Sequence, residues 1–273
     1  MAYELIALDM DGTLLDSHKE VAASSTAAIK EAVAAGKRVI VCSGRCPQMV
    51  SRYREFLPGL RYAVCCAGAV VYDFEKSRAL RERDIEPGFV ARALNICDAQ
   101  GPYILEVTSG TGVLMEEREI KMSPSCGVGI YQPLYNETST FVEDAHECAR
   151  TLPVSKLNMH FQSVEARDKS FELLKGYAHS MFVTKCERSS LEFTAAGADK
   201  GAGLDDLCAL LGIDPAQTIA VGDADNDLAM MRVAGLAVAM GNANENARAA
   251  ASVSVADNDH GGVAEAIERF LLA

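Results

Sequence analysis

Apolar residues fall in short unbroken runs over the first third of the chain, with helix-period stretches between them. Residues 3–9 form one such run, as a strand covered on both faces should. Val21, Ile29, Ala32 and Val33 make a helix stripe that Gly36 stops. Residues 38–42 are a second buried strand, ending in Ser43-Gly44-Arg45. Pro47 opens a helix carrying Met49, Val50, Tyr53 and Phe56. Residues 62–65 are a third strand, and Gly68 introduces a small hairpin that ends near Leu80.

The texture changes near residue 82. A helix from Pro87 to about Ala99 precedes strands at 103–107 and 113–115, with the turn signal Ser109-Gly110-Thr111-Gly112 between them. Residues 117–136 show little periodicity and read as a loop or a short helix. Then come a helix from Ser139 to Arg150, a strand at 156–162, a helix at 164–176, and strands at 181–185 and 190–194. After Gly197 the alternation of buried strands and helices resumes. Helices are expected at 201–211, 226–233, 244–251 and 263–272, and strands at 218–221 and 236–239. The pattern predicts one doubly wound, Rossmann-like α/β domain with a parallel sheet, formed by residues 1–81 and 193–273. An α+β domain, residues 82–192, is inserted in it.

Composition narrows the function. The chain has 273 residues, 49% hydrophobic and 23% charged, which suits a globular protein of two domains. Its net charge of -12 makes nucleic acid and anionic membrane surfaces poor partners. An anionic substrate is still admissible, because a bound cation and a few basic groups reverse the field locally. No apolar run approaches a membrane span, and Glu4 and Asp9 interrupt the first one, so no secretory signal is expected. The nine cysteines are expected to be reduced and the compartment cytoplasmic. Cys42, Cys65 and Cys66 read as small buried hydrophobes. His18, His146, His160, His179 and His260 show no metal-ligand spacing and are expected on the surface or in loops.

Candidate chemistry stands where the outer strands end. The first gives Asp9 and Asp11, the second Ser43, and the strand at 218–221 gives Asp223, with Asp227 four residues on. In open α/β sheets ligands bind at the carboxyl ends of the strands. Four carboxylates in one crevice repel one another unless a cation joins them. An all-oxygen set selects a hard ion, and Mg²⁺ takes a few carboxylates and accepts phosphate oxygens as well. Lys200, opening the helix that re-enters the outer domain, can supply a fixed positive charge. Taken singly, Asp-x-Asp-Gly is often a turn, Ser-Gly usually is one, and a lone lysine is usually solvated. No calcium-loop spacing, phosphate-cradling Gly-x-x-x-x-Gly-Lys or dinucleotide fingerprint occurs.

The motifs Asp9-Met10-Asp11-Gly12-Thr13-Leu14, Ser43-Gly44-Arg45, Lys200-Gly201 and Gly222-Asp223-Ala224-Asp225-Asn226-Asp227 follow one another in order. With them the chain resembles the haloacid dehalogenase-like phosphatases, and among these the Cof-type group with a large inserted cap. The runs Val238-Ala239-Met240-Gly241-Asn242-Ala243 and Asn258-Asp259-His260-Gly261-Gly262-Val263-Ala264 are similar to that group as well. The resemblance implies that Asp9 is the nucleophile, forming an aspartyl-phosphate, and that Asp11 is the general acid and base, its proton held by a raised pKa. It also implies Mg²⁺ held by Asp9, the Met10 backbone carbonyl and Asp223, with Asp227 near, and Asp11 among the acids around the ion. Ser43, Gly44, Lys200 and Asn226 would hold the phosphoryl group. Ser43 stands where the family usually has Thr, Ala67 where it commonly has Asn, and Arg248 where Lys is common. The expected activity is hydrolysis of small phosphorylated metabolites. A phosphomutase using the same aspartates is the alternative, and a non-catalytic phosphate-binding protein the more distant one. The oligomeric state is left open.

Overall fold

The computed structural model describes residues 3–273, so the first two positions of the expected 1–81 segment lie outside the described residues. Along the first segment run β1 (Leu5–Leu8), β2 (Arg38–Cys42), β3 (Tyr62–Cys65), β4 (Val70–Asp73) and β5 (Arg78–Glu82). The middle of the chain supplies β6 (Tyr103–Ser109), β7 (Gly112–Met115), β8 (Ser139–Phe141), β9 (Lys156–Phe161), β10 (Met181–Cys186) and β11 (Ser190–Ala195). The last segment adds β12 (Thr218–Gly222), β13 (Leu236–Ala239) and β14 (Val253–Ser254).

The outer segments share one eight-stranded sheet, ordered β14-β13-β12-β1-β2-β3-β4-β5. Its pairings from β14 through β3 are parallel, and β4 turns back antiparallel on β3. The order reverses at β1, which lies between β2 and the distant β12, with Leu8 level with Val41 and Val221. All four residues of β1 are buried, the expected state of a central parallel strand. Leu5, Ala7, Ile40, Val64 and Ala220 pack with Leu204, Leu207 and Cys208 of the helix Lys200–Leu211. Asp199 caps that helix by accepting the Ala202 N–H, and left-handed Gly212 ends it.

The chain divides into two compact units: residues up to Arg45, Val50–Arg81 and Asp199–Ala273 form one, and Cys46–Met49 with Glu82–Ala198 the other. The return crossing thus lies at residue 198, not 192. The reason is β11, which pairs along its length with β9 and β10 and cannot be divided between units. The second sheet, ordered β10-β11-β9-β6-β7-β8, has two unlike faces. Leu105, Val107, Leu157, Met159, Phe161, Leu191 and Phe193 belong to the unit's apolar core. The alternate positions of the same strands, Glu106, Lys156, Asn158, His160, Ser190 and Glu192, are polar.

Two expectations change here. The helix expected from Ser139 begins at Ala145, capped by Asp144, and Ser139–Phe141 is instead β8, parallel to β7. His160 is not on the surface: it is 3% exposed, between Glu106 at 2.5 Å and Ser190 at 2.6 Å. Cys42, Cys65 and Cys66 are buried, as expected of small hydrophobes.

Candidate active site

At the end of β1 the Asp9 N–H still joins the ladder, donating to the Val221 carbonyl at 3.0 Å. The chain then closes a tight loop, in which the Met10 carbonyl accepts from Leu15 N–H (2.8 Å) and Thr13 N–H (3.3 Å). Gly12 takes a left-handed φ of 84°, and a Cβ there would stand 2.5 Å from an Asp223 carboxylate oxygen. Only glycine lets this loop lie so close to the end of β12. Thr13 Oγ1 donates to Asp223 Oδ1 at 3.1 Å, and the Asn242 amide to the Gly12 carbonyl at 2.8 Å.

Past Gly222 the chain turns so that one Asp227 oxygen accepts the N–H groups of Asp223 (2.9 Å) and Ala224 (3.1 Å). A Cβ on Gly222 would stand 2.5 Å from that carboxylate. The other Asp227 oxygen accepts from Lys200 Nζ at 2.6 Å, and Lys200 also reaches Asp9 Oδ1 at 2.5 Å. Lys200 is 1% exposed and Asp227 0%. Burial alone would lower the Lys200 pKa, but the charges of Asp227 and Asp9 hold it well above the ordinary lysine value.

Carboxylate oxygens of Asp9, Asp223 and Asp227 lie within 4.8 Å of one another. Three such charges against one ammonium leave the cluster short of positive charge. Burial, with a contribution from Asp227, pushes Asp9 up to about 8 and Asp223 to about 6, against the pull of Lys200 and, for Asp223, of Thr13. An oxygen-only donor set with unmet demand for a cation is the kind that a hard divalent ion satisfies.

Asp11 is not among the three acids of this cluster. The Met10 carbonyl, the other expected ligand, accepts two backbone N–H groups of its own loop. The Asp11 carboxylate meets Arg45, whose Nε donates to Oδ2 and Nη2 to Oδ1, both at 2.9 Å, while Lys19 Nζ donates to Oδ1 at 2.8 Å. Burial would raise the Asp11 pKa, but Arg45 and Lys19 outweigh it and hold it at about 2, contrary to the raised value expected of an acid. Arg45 is fixed in turn by the Tyr53 hydroxyl at 3.2 Å and by stacking on that ring.

Ser43 is buried at the end of β2, its hydroxyl accepting the Arg45 N–H at 3.2 Å, and Gly44 follows it. Asn226 is exposed on the Asp225–Asp227 turn. Sequence reasoning missed Thr13, Lys19, Arg45 and Asn242. Three of these stand inside motifs quoted for other residues; Lys19 carried no signal. A second group that could hold a metal, Glu116, Asp144 and His146, lies in the inserted unit. Its members are already engaged, Glu116 with Arg118, Asp144 as a helix cap, and His146 with Asp98 and Tyr103.

The sequence profile of the haloacid dehalogenase-like hydrolases matches residues 6–267. A haloacid dehalogenase-like hydrolase from Bacteroides thetaiotaomicron has the same fold with a TM-score of 0.85 and 27% identity, over 98% of this chain and 99% of that one. The 5-amino-6-(5-phospho-D-ribitylamino)uracil phosphatase YwtE of Bacillus subtilis (strain 168) is 26% identical over 97% of each chain. The pyridoxal phosphate phosphatase YbhA of Escherichia coli (strain K12) is 24% identical over the whole of both. The chain belongs to the haloacid dehalogenase-like hydrolases and is a phosphatase of that family. No helix among the described residues is long and apolar enough to cross a membrane.

Proposed function

We propose that this phosphatase hydrolyses small phosphorylated metabolites by passing the phosphoryl group through Asp9, with Mg²⁺ as its cation. The observation that carries the reading is the convergence of Asp9, Asp223 and Asp227 on one point, with Lys200 bridging Asp9 and Asp227. Asp9 and Asp223 would hold the ion, backed by Asp227. When bound, Mg²⁺ supplies positive charge against the transferring phosphoryl oxygens.

Asp9 attacks phosphorus, and its new P–O bond forms as the bond to the leaving oxygen breaks. Asp11 gives that oxygen a proton. It then takes one from the water that cleaves the aspartyl-phosphate, releasing phosphate and restoring Asp9. Arg45 and Lys19 favour the ionised Asp11 that the second half-reaction needs. A phosphate dianion arriving beside it works the other way, since its charge raises the affinity of the carboxylate for a proton. The Ser43 hydroxyl, the Gly44 N–H, Lys200 and Asn226 hold the phosphoryl oxygens, the positioning on which phosphoryl transfer chiefly depends.

Two similar enzymes are named for pyridoxal phosphate and for 5-amino-6-(5-phospho-D-ribitylamino)uracil, which supports substrates of that size. Nine cysteines, an odd number without Cys-x-x-Cys spacing, fit a reducing compartment, the cytoplasm. The test is phosphate release from a panel of phosphorylated metabolites, with free phosphate rather than an isomeric ester as product. A chelator should stop turnover and Mg²⁺ restore it. Asp9→Asn should lower kcat by about a thousandfold or more with the melting temperature maintained. Wild-type rates in that variant, or indifference to the chelator, would end the reading.

A further inference from the structure

Proton transfer at Asp11 needs a carboxylate oxygen with an unused lone pair, and the contacts around it leave one. A carboxylate offers about four acceptor sites, two on each oxygen. Oδ1 receives Arg45 Nη2 and Lys19 Nζ, while Oδ2 receives Arg45 Nε alone. Among the described residues, Oδ1 is therefore filled and Oδ2 keeps one place open. Arg45 fixes the plane of the carboxylate by its two parallel bonds. Lys19 decides which of the two oxygens is left.

Lys19 is held in place to do this. Its φ of 64° is left-handed, a conformation that a lysine adopts only under constraint. The constraint is a tight turn: the Lys19 N–H donates to the Asp16 carbonyl (3.0 Å), the Asp16 N–H to the Glu20 carbonyl (2.9 Å), and the Asp16 carboxylate accepts from His18 and Glu20. The final loop of the chain braces that turn. Asn258 donates to the Leu15 carbonyl at 3.0 Å, and Asp259 accepts the Ser17 N–H at 2.8 Å. The late run Asn258-Asp259-His260-Gly261-Gly262-Val263-Ala264, which the phosphoryl chemistry does not use, is thereby tied to Asp11.

We propose that Lys19 is a positioning residue: it closes Oδ1 of Asp11, so that Oδ2 is the atom that exchanges the proton. The assignment rests on Asp11 serving as acid and base, as above. In the first half-reaction the Oδ2–H proton goes to the leaving oxygen as its bond to phosphorus breaks, and Asp11 becomes a carboxylate. In the second, Oδ2 takes a proton from water as the water oxygen bonds to phosphorus.

The test uses two esters whose leaving groups differ in their need for a proton. 4-Nitrophenolate departs readily unprotonated, whereas phenolate needs more help. Lys19→Met should raise the ratio of kcat on 4-nitrophenyl phosphate to kcat on phenyl phosphate by about tenfold, with KM for each within about twofold. Lys19→Arg should bring the ratio back to within about threefold of wild type. In an Asp11→Asn background the Lys19→Met change should no longer move the ratio. Asp259→Ala, which loosens the brace, should move it the same way by less. Equal losses on both esters would mark a merely structural lysine, and a rise in KM alone a substrate-binding one; either overturns the assignment. Release of phosphate by the wild-type enzyme from neither of these esters nor any ester of the metabolite panel would remove the proposed hydrolysis itself, and the role of Lys19 with it.

Discussion

Lys200 shows how much one side chain has to balance. It is the sole ammonium touching both Asp9 and Asp227 among the described hydrogen bonds, and all three side chains are buried. Lys200→Met leaves two buried carboxylates uncompensated and should destabilise the metal-free protein by about 3–5 kcal/mol, read by denaturant unfolding. Ala67 invites the opposite change. Its φ is 54°, held by its own N–H on the Ser43 carbonyl and that of Cys66 on the Arg45 carbonyl. Asn tolerates that backbone better than alanine does. Ala67→Asn should therefore raise stability by about 0.5–1 kcal/mol, with the gain read from the melting temperature. At this scale the acids of the cluster were legible because each ends a strand or opens a turn. Arg45 and Lys19 were not, since nothing in a sequence aims a long flexible side chain. The low pKa of Asp11 follows from those two cations, and so it too was out of reach.

At the level of elements, the strands of the outer sheet were easiest to see, because strands buried on both faces write unbroken apolar runs. The error at Ser139 has the same root. A three-residue strand is too short to show a period, and Ser139-Thr140-Phe141 merged with the helix that follows. The second sheet carries its own test. Burial would raise Glu106, but His160 and Lys156 outweigh it and draw it down to about 2. A carboxyl lowered in the fold stabilises above its unfolded value and loses that contribution as pH falls through the folded one. Here the window runs from about 4.5 down to about 2. Calorimetric melting should fall across it in the wild type. Glu106→Gln should flatten that part of the profile.

For the whole molecule, the cation is the largest lever on stability. Asp9 and Asp223 are raised in the fold, so in the metal-free protein their ionisation disfavours the folded state as pH rises from about 4 towards 8. A bound divalent ion removes that penalty and must displace any protons the carboxylates hold. Added Mg²⁺ should therefore raise the melting temperature by several degrees at about pH 8 and by much less at about pH 5. An equal shift at both would locate the ion elsewhere. The seating of β12 beside β1 has a consequence for biosynthesis. The stretch Glu82–Ala198 is synthesised before β12. Until residues 218–222 are made, the nascent chain holds Asp9 at the end of a strand one of whose neighbours does not yet exist. A polypeptide ended before residue 223 lacks two of the three acids that converge in the folded protein, whatever part of it has folded.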